Sequence, residues 1–213
     1  MRLCVHEFVT LDGVMQGPGG PDEDRSNGFA SGGWLVPYAD EDFGRIVDGW
    51  FADADAILLG RTTYQLMQPY WSAVTDADNQ VATALNTSPK YVASTTLTQQ
   101  TASWDSSTVL ADPVLDQVRA LKDRPGRELQ VHGSWRLVRA LHDAGLIDVY
   151  RLLVFPVVVG EGKRLFEPGA VPSGFETLSA ELTAAGVVSI VLQPAPLAEA
   201  RTFVVEDGRE TVA

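Results

Sequence analysis

Residues 57–67 read ILLGRTTYQLM, and the fold turns on how this stretch is parsed. Ile57, Leu58 and Leu59 form a short apolar run bounded by a glycine, the pattern of a buried strand. Thr62 to Met67 continues as a short helix, which Pro69 is expected to stop. The junction is Gly60-Arg61-Thr62-Thr63. A turn from strand to helix needs the glycine and one capping hydroxyl. The arginine is surplus to that, and the whole junction has the chemistry of a phosphate site: free N–H groups at a helix start, hydroxyl donors and a planar cationic fork.

Working outward, the same handover recurs. Tyr91 to Ala93 is a strand that ends in Ser94-Thr95-Thr96. Leu129 to Val131 is a strand that ends in His132-Gly133-Ser134, followed by Trp135 and Arg136. Ser134 is placed as the cap of a helix whose inner face is Leu137, Val138 and Leu141, closed by Gly145. Earlier, Asp40 caps a helix with Phe43, Ile46, Val47 and Trp50 on one face. Asp76 to Leu85 is read as helical. Asp112-Pro113 is read as a cap followed by proline at the first helical position. Arg2 to Val9 opens the chain as a strand. Val149 to Val159 is a long β-branched strand interrupted by Pro156. Phe175 to Leu182 and Val187 to Leu192 flank Ala185-Gly186 as an antiparallel hairpin. Alternating strands and helices imply parallel strands with helices on both faces, and the hairpin adds antiparallel strands at one edge. In a parallel sheet all strand ends share one edge, where ligands of open α/β folds bind. Three hydroxyl-bearing junctions on one edge fit a ligand with more than one phosphate.

The chain has 213 residues, 45% of them hydrophobic and 21% charged, with a net charge of −12. That suits a single large domain with a full core. The acidic balance argues against a nucleic-acid partner. No apolar run reaches the length of a membrane helix, and the N-terminus turns polar too early for a signal peptide, so a cytoplasmic protein without membrane contact is expected. The one cysteine, Cys4, cannot bridge internally and reads as a packed core thiol.

Several fingerprints fail. Gly17 to Asp22 starts like G-x-G-x-x-G but lacks the last glycine and opens no helix. Val157 to Leu165 holds Gly162-Lys163 without the first glycine or the following hydroxyl of a P-loop. No nucleophile elbow is present, and His6, His132 and His142 are isolated, so no metal site is expected. The stretch 13–38, GVMQGPGGPDEDRSNGFASGGWLVPY, is too long for an ordinary connection and reads as a loop over a site.

These segments together resemble the dihydrofolate reductase-like superfamily. They are most similar to stand-alone relatives of the reductase half of the bacterial bifunctional riboflavin-pathway deaminase/reductase. The resemblance rests on FVTLDG (8–13), ADAILLGRTTYQLM (54–67), YVAST (91–95), the run from Leu129 to Phe166 and the closing hairpin. It implies a three-layer α/β fold: a central mixed, mostly parallel sheet with an antiparallel C-terminal hairpin and helices on both faces. The reductase domain would span 1–194, with 195–213 as a tail that adds an edge strand, Thr202 to Val205 being the candidate. It also implies NADPH as hydride donor, a small heterocyclic substrate of pterin, folate-like or aminopyrimidine type, and a homodimer. Carried onto this chain, Gly60, Arg61, Thr62 and Thr63 would hold adenosine-side phosphates. Ser94 and Thr95 would lie near the 2′-phosphate and adenine. Gly133, Ser134, Trp135 and Arg136 would cover the pyrophosphate, and Gly13 and Met15 would lie along the nicotinamide. Asp12 and Asp42 are the candidate catalytic carboxylates, although Asp42 could equally serve as a helix N-terminal charge. Trp34 and Tyr64 are the candidate substrate wall. The alternative reading is a non-catalytic nucleotide-binding or regulatory module on the same fold. A mainly structural, oligomer-forming domain is a third.

Overall fold

Leu3, Cys4 and Val5 are completely buried, because the strand that carries them, β1 (Arg2–Thr10), has strands on both sides and helices on both faces. The computed structural model describes residues 1–212. β1 is followed by α1 (Glu41–Ala52), β2 (Ala54–Gly60), α2 (Arg61–Trp71), α3 (Gln80–Thr87), β3 (Lys90–Ala93) and β4 (Ser107–Leu110). Then come α4 (Val114–Lys122), β5 (Glu128–His132), α5 (Trp135–Asp143), β6 (Val149–Phe155), β7 (Gly174–Leu182) and β8 (Val188–Ala195). The sheet order is β4-β3-β2-β5-β1-β6-β8-β7. β1 to β6 pair in parallel, and β8 and β7 close one edge in antiparallel register.

Strand alternation divides the core into two layers. On one face Leu3 and Val5 of β1 and Leu129 and Val131 of β5 pack under Val138 and Leu141 of α5 and Val118 and Leu121 of α4. On the other face Ile57 and Leu59 of β2 meet Ile46, Val47 and Trp50 of α1, Tyr64 of α2 and Leu85 of α3. Each such aliphatic side chain contributes roughly 1.5–3 kcal/mol by leaving water. This is the three-layer architecture expected from the alternation.

The boundaries differ in informative places. α2 runs through Pro69 to Trp71, because the proline removes one N–H near the helix end, where Ser72 N still reaches the Gln68 carbonyl (3.0 Å). α3 begins later than expected: Asn79, not Asp76, caps it by accepting from Ala82 N (2.9 Å). α4 has Pro113 at its N-cap position and no side-chain cap from Asp112. β6 stops at Phe155, just before Pro156. Among the described residues the tail adds no strand to the main sheet. β9 (Phe203–Glu206) and β10 (Arg209–Val212) pair with each other as a separate hairpin.

Candidate functional site

β3, β2 and β5 are neighbours, so their three junctions lie side by side at one edge of the sheet. α2 and α5 start there with their N-termini in contact. Gly60 N donates to Ser134 Oγ (2.8 Å), and that hydroxyl donates to the His132 carbonyl (3.2 Å). Ser134 therefore ties the two helix starts together; it makes no side-chain cap of its own helix, where it was expected to act. Gly133 has φ +56, and a Cβ there would stand 3.1 Å from Thr63 Cγ2. Only glycine lets the two turns approach this closely. Arg61 is exposed beside them and forms no ion pair among the described residues. Thr62 is exposed and Thr63 half-buried. In the third junction Ser94 Oγ accepts from Thr96 N (3.1 Å) and Leu97 N (2.8 Å), leaving Thr95 and Thr96 exposed. The Trp135 ring has the Arg136 guanidinium over it at 5.4 Å and the Lys163 ammonium at 5.9 Å.

These junctions open into a groove of about 1900 Å3. One stretch of its wall is polar: Arg61 to Thr63, Ser94 to Thr96 and Gly133 to Arg136, together with the Arg119–Asp116 ion pair (2.6 Å). Another is apolar, built from Phe8, Phe43, Val47, Trp50 and Phe51 below and from Leu66, Met67, Tyr70 and Trp71 of α2. Met15 to Asp24 forms part of the rim, so the 13–38 segment does border the cavity. It is held there by Met15 N to the Lys163 carbonyl (2.9 Å) and by Lys163 Nζ to Asp24 (2.6 Å).

A buried polar chain runs under the apolar stretch. Glu128 is fully buried and receives Arg151 at both oxygens (2.7 and 2.8 Å), Arg2 (3.0 Å) and Gln130 (2.8 Å). Burial works against its charge, but the hydrogen bonds and charge of Arg151 win and hold the carboxyl below its usual value. Cys4, His6 and Glu128 could in principle share a metal ion, but the glutamate oxygens are committed to guanidinium groups. Burial, and then the Glu128 charge, push the Cys4 thiol up to about 12, as befits an inert core thiol. His132 stacks on Phe51 with centroids 4.5 Å apart, and burial lowers its pKa to about 3. Glu7 also lines the cavity. Its Oε1 is buried with no partner among the described residues, and burial pushes its pKa well above the ordinary 4.5.

Of the sequence candidates, Met15 and the residues of the three junctions come together on this cavity. Five others do not line it. Asp12 is a tether: it accepts from Thr10 (2.6 Å), Gly160 N (2.9 Å) and Arg164 (3.3 Å), fastening the 10–13 turn to the 157–164 segment. Burial opposes its charge, and the hydrogen bonds from Thr10, Gly160 N and Val159 N lower its pKa overall. Gly13, at φ +78, serves the same turn. Asp42 faces Arg45 (3.4 Å) and Ala184 N (3.2 Å). Trp34 is core, with its indole N–H given to the Gln16 carbonyl (2.9 Å). Tyr64 is core too, its hydroxyl accepting from Trp104 N (2.7 Å). His6 and His132, read in the sequence only as isolated histidines, and Glu7, not singled out there, all line the cavity. The signal was present: LCVHEFV places a histidine and an acid in the middle of an otherwise buried strand.

Residues 2–190 match the family model described as the RibD C-terminal domain. The chain belongs to this family. Among curated proteins it is similar to the uncharacterized protein YyaP of Bacillus subtilis, with 28% identity over 89% of this chain and 93% of that one. Among solved structures it resembles the deaminase/5-amino-6-(5-phosphoribosylamino)uracil reductase of Thermotoga maritima. That likeness has a TM-score of 0.61 and 14% identity, over 91% of this chain and 56% of that one. It also resembles the dihydrofolate reductase of Enterococcus faecalis, solved with NADP(H), at a TM-score of 0.57 and 11% identity, over 91% of this chain and 96% of that one. RibD C-terminal domain membership and these two likenesses agree on a dihydrofolate reductase-like fold.

Proposed function

We propose that this protein is a cytoplasmic, NADPH-dependent reductase of a small heterocycle of pterin, folate-like or aminopyrimidine type. The observation that carries the reading is the pair of helix N-termini joined by Ser134, with the unpaired Arg61 beside them. The residues present fit the cofactor. The Gly133 turn, where a Cβ would press on Thr63, keeps the two helix starts side by side, and the site's free donors are N–H groups, hydroxyls and guanidinium groups suited to phosphate oxygens. Bound there, NADPH would supply a hydride. The chain's own residues would do the rest. Arg61, Thr62, Thr63 and the starts of α2 and α5 would bind phosphates. Thr95 and Thr96 would border the adenosine end. Met15 and Leu137 would form an apolar wall, and Phe8, Phe43 and Trp50 would exclude water from the substrate. Glu7 would bring a carboxyl whose proton burial helps to hold.

Thermal-shift titrations of wild type and Arg61→Ala with NADPH and NADH test this. A ligand at 100 times its dissociation constant adds about 2.7 kcal/mol of stability. NADPH is expected to stabilise wild type more than NADH, and the gap is expected to shrink in Arg61→Ala. No shift with either cofactor would remove the proposal's support. A homodimer through the β7 edge, which carries the exposed Leu178 and Leu182, completes the proposal and is checked by sedimentation.

A further inference from the structure

β1 and β5 pair with His6 opposite His132, and the two ring centroids are 5.0 Å apart. Both residues line the cavity, next to Phe8, Trp50 and Phe51. Each is joined to Glu128 by a different chain of hydrogen bonds, and each chain fixes a tautomer. Arg151, which holds Glu128, also places its NH1 3.3 Å from His6 Nε2. A guanidinium has donors and no acceptor, so His6 Nε2 must accept and the ring proton sits on Nδ1. Gln130 Nε2 donates to the Trp50 carbonyl (2.6 Å) and to Glu128 (2.8 Å), which settles the direction of its amide. Its Oε1 therefore faces His132 Nε2 (3.1 Å) as an acceptor. His132 thus carries its proton on Nε2 and a lone pair on Nδ1.

Burial keeps both rings neutral. For His6 the nearby His132 and Arg151 add to the effect; for His132 the Glu128 charge opposes it without prevailing. Nδ1 of His6 is buried with no partner among the described residues, and Nδ1 of His132 makes no hydrogen bond there. A buried N–H without an acceptor costs the free energy of a lost hydrogen bond, which a ligand acceptor would return.

We propose that His6 Nδ1–H and His132 Nδ1 act as a donor–acceptor pair that selects a ring presenting an N–H beside a C=O, the lactam edge of an oxo-heterocycle. This deepens the reductase reading and rests on it for the cavity being a substrate site. The aromatic neighbours suit a flat ring, and the neutral pair offers no counter-charge to a carboxylate or a phosphate. Glu128, Arg151 and Gln130 are positioning residues: they set which nitrogen carries each proton and do not line the cavity.

The test uses two probes, isoquinolin-1(2H)-one and its N-methyl analogue, which has lost the N–H. Isothermal titration is expected to show the N-methyl compound binding wild type about tenfold more weakly or worse. His132→Phe, which keeps a ring over Phe51 and loses the acceptor, is expected to abolish the preference. His6→Asn, which keeps a donor near Nδ1, is expected to retain it. Nitrogen-15 spectra of histidine-labelled wild type need no variant, and with three histidines in the chain they are simple to assign. They should show His6 protonated at Nδ1 and His132 at Nε2. Equal affinity of the two probes, no binding of either at millimolar concentration, or the opposite tautomers would overturn the pair. NADPH is titrated into the same samples. Binding of NADPH without lactam preference overturns the pair and leaves the reductase reading standing. Lactam preference without NADPH binding supports the pair and overturns that reading.

Discussion

At residue 133 the chain accepts a left-handed backbone, φ +56, so that the start of α5 can sit against Thr63. Ser134 follows at φ +71, an uncommon conformation for a residue with a Cβ, and its hydroxyl takes up the Gly60 N–H. The strain at Ser134, which follows a glycine that takes up its own positive φ freely, is sustained by the contact it makes with the neighbouring junction. Gly133→Ala would add both backbone strain and a methyl 3.1 Å from Thr63 Cγ2. It is expected to cost roughly 1–3 kcal/mol of stability in urea denaturation. NADPH affinity should fall further than stability, because the group displaced is part of the proposed phosphate site. Adding Thr63→Ser removes the offending methyl and should recover part of the stability loss, while the strain at φ +56 remains. An unchanged NADPH affinity in the single variant would separate this turn from cofactor binding.

At the scale of elements, α3 depends on a residue outside it. Lys90 is fully buried at the start of β3, and its ammonium donates to the Leu85 (2.8 Å), Asn86 (3.4 Å) and Ser88 (2.9 Å) carbonyls. It also lies over the Trp104 ring at 5.1 Å. The cation closes the helix end, where the dipole is negative and the last carbonyls lack partners. Lys90→Met keeps the length and removes the donors, so roughly 2–4 kcal/mol should be lost. Hydrogen exchange should show α3 opening before the strands; uniform exchange would mean that the lysine supports the whole core instead. Reading Tyr91 as the start of that strand hid this role. β4 escaped notice for a related reason: it is an edge strand with only Leu110 buried, so it carries almost no periodic signal. The strand-to-helix junctions were legible because glycine, hydroxyl and arginine are contiguous there. The histidine pair was not, because its members meet only through the β1–β5 register. Asp12 ties two loops together and Asp42 stands in the first turn of α1, and in sequence such carboxylates look like ones that meet a ligand.

Across the whole molecule, the buried ionisable groups should leave a signature in stability against pH. Glu7 has its folded pKa raised well above the ordinary 4.5 by burial. The unfolded chain releases that proton first, so stability falls as pH rises above 4.5, by about 1.4 kcal/mol per unit for as long as the folded form holds the proton. His6 and His132 act in the opposite sense. Their folded pKa values lie below 6.5, that of His132 at about 3, so the unfolded chain takes up protons that the folded one refuses. Their contribution is complete above 6.5 and is lost as pH falls below it. Below that value two histidines outweigh one glutamate and stability rises with pH; above it the glutamate makes stability decline, until Lys90, lowered to about 8 by burial, begins to oppose it. Melting temperature should therefore peak near pH 6.5. Glu7→Gln keeps the shape and cannot ionise, so it should flatten the decline above pH 6.5 and be more stable than wild type on that side of the peak. His132→Phe should instead make the acid side less steep. Parallel melting curves for the three proteins decide the matter: a Glu7→Gln profile that declines as steeply as wild type would mean that Glu7 ionises in the folded protein, with a partner for its charge in the cavity it lines.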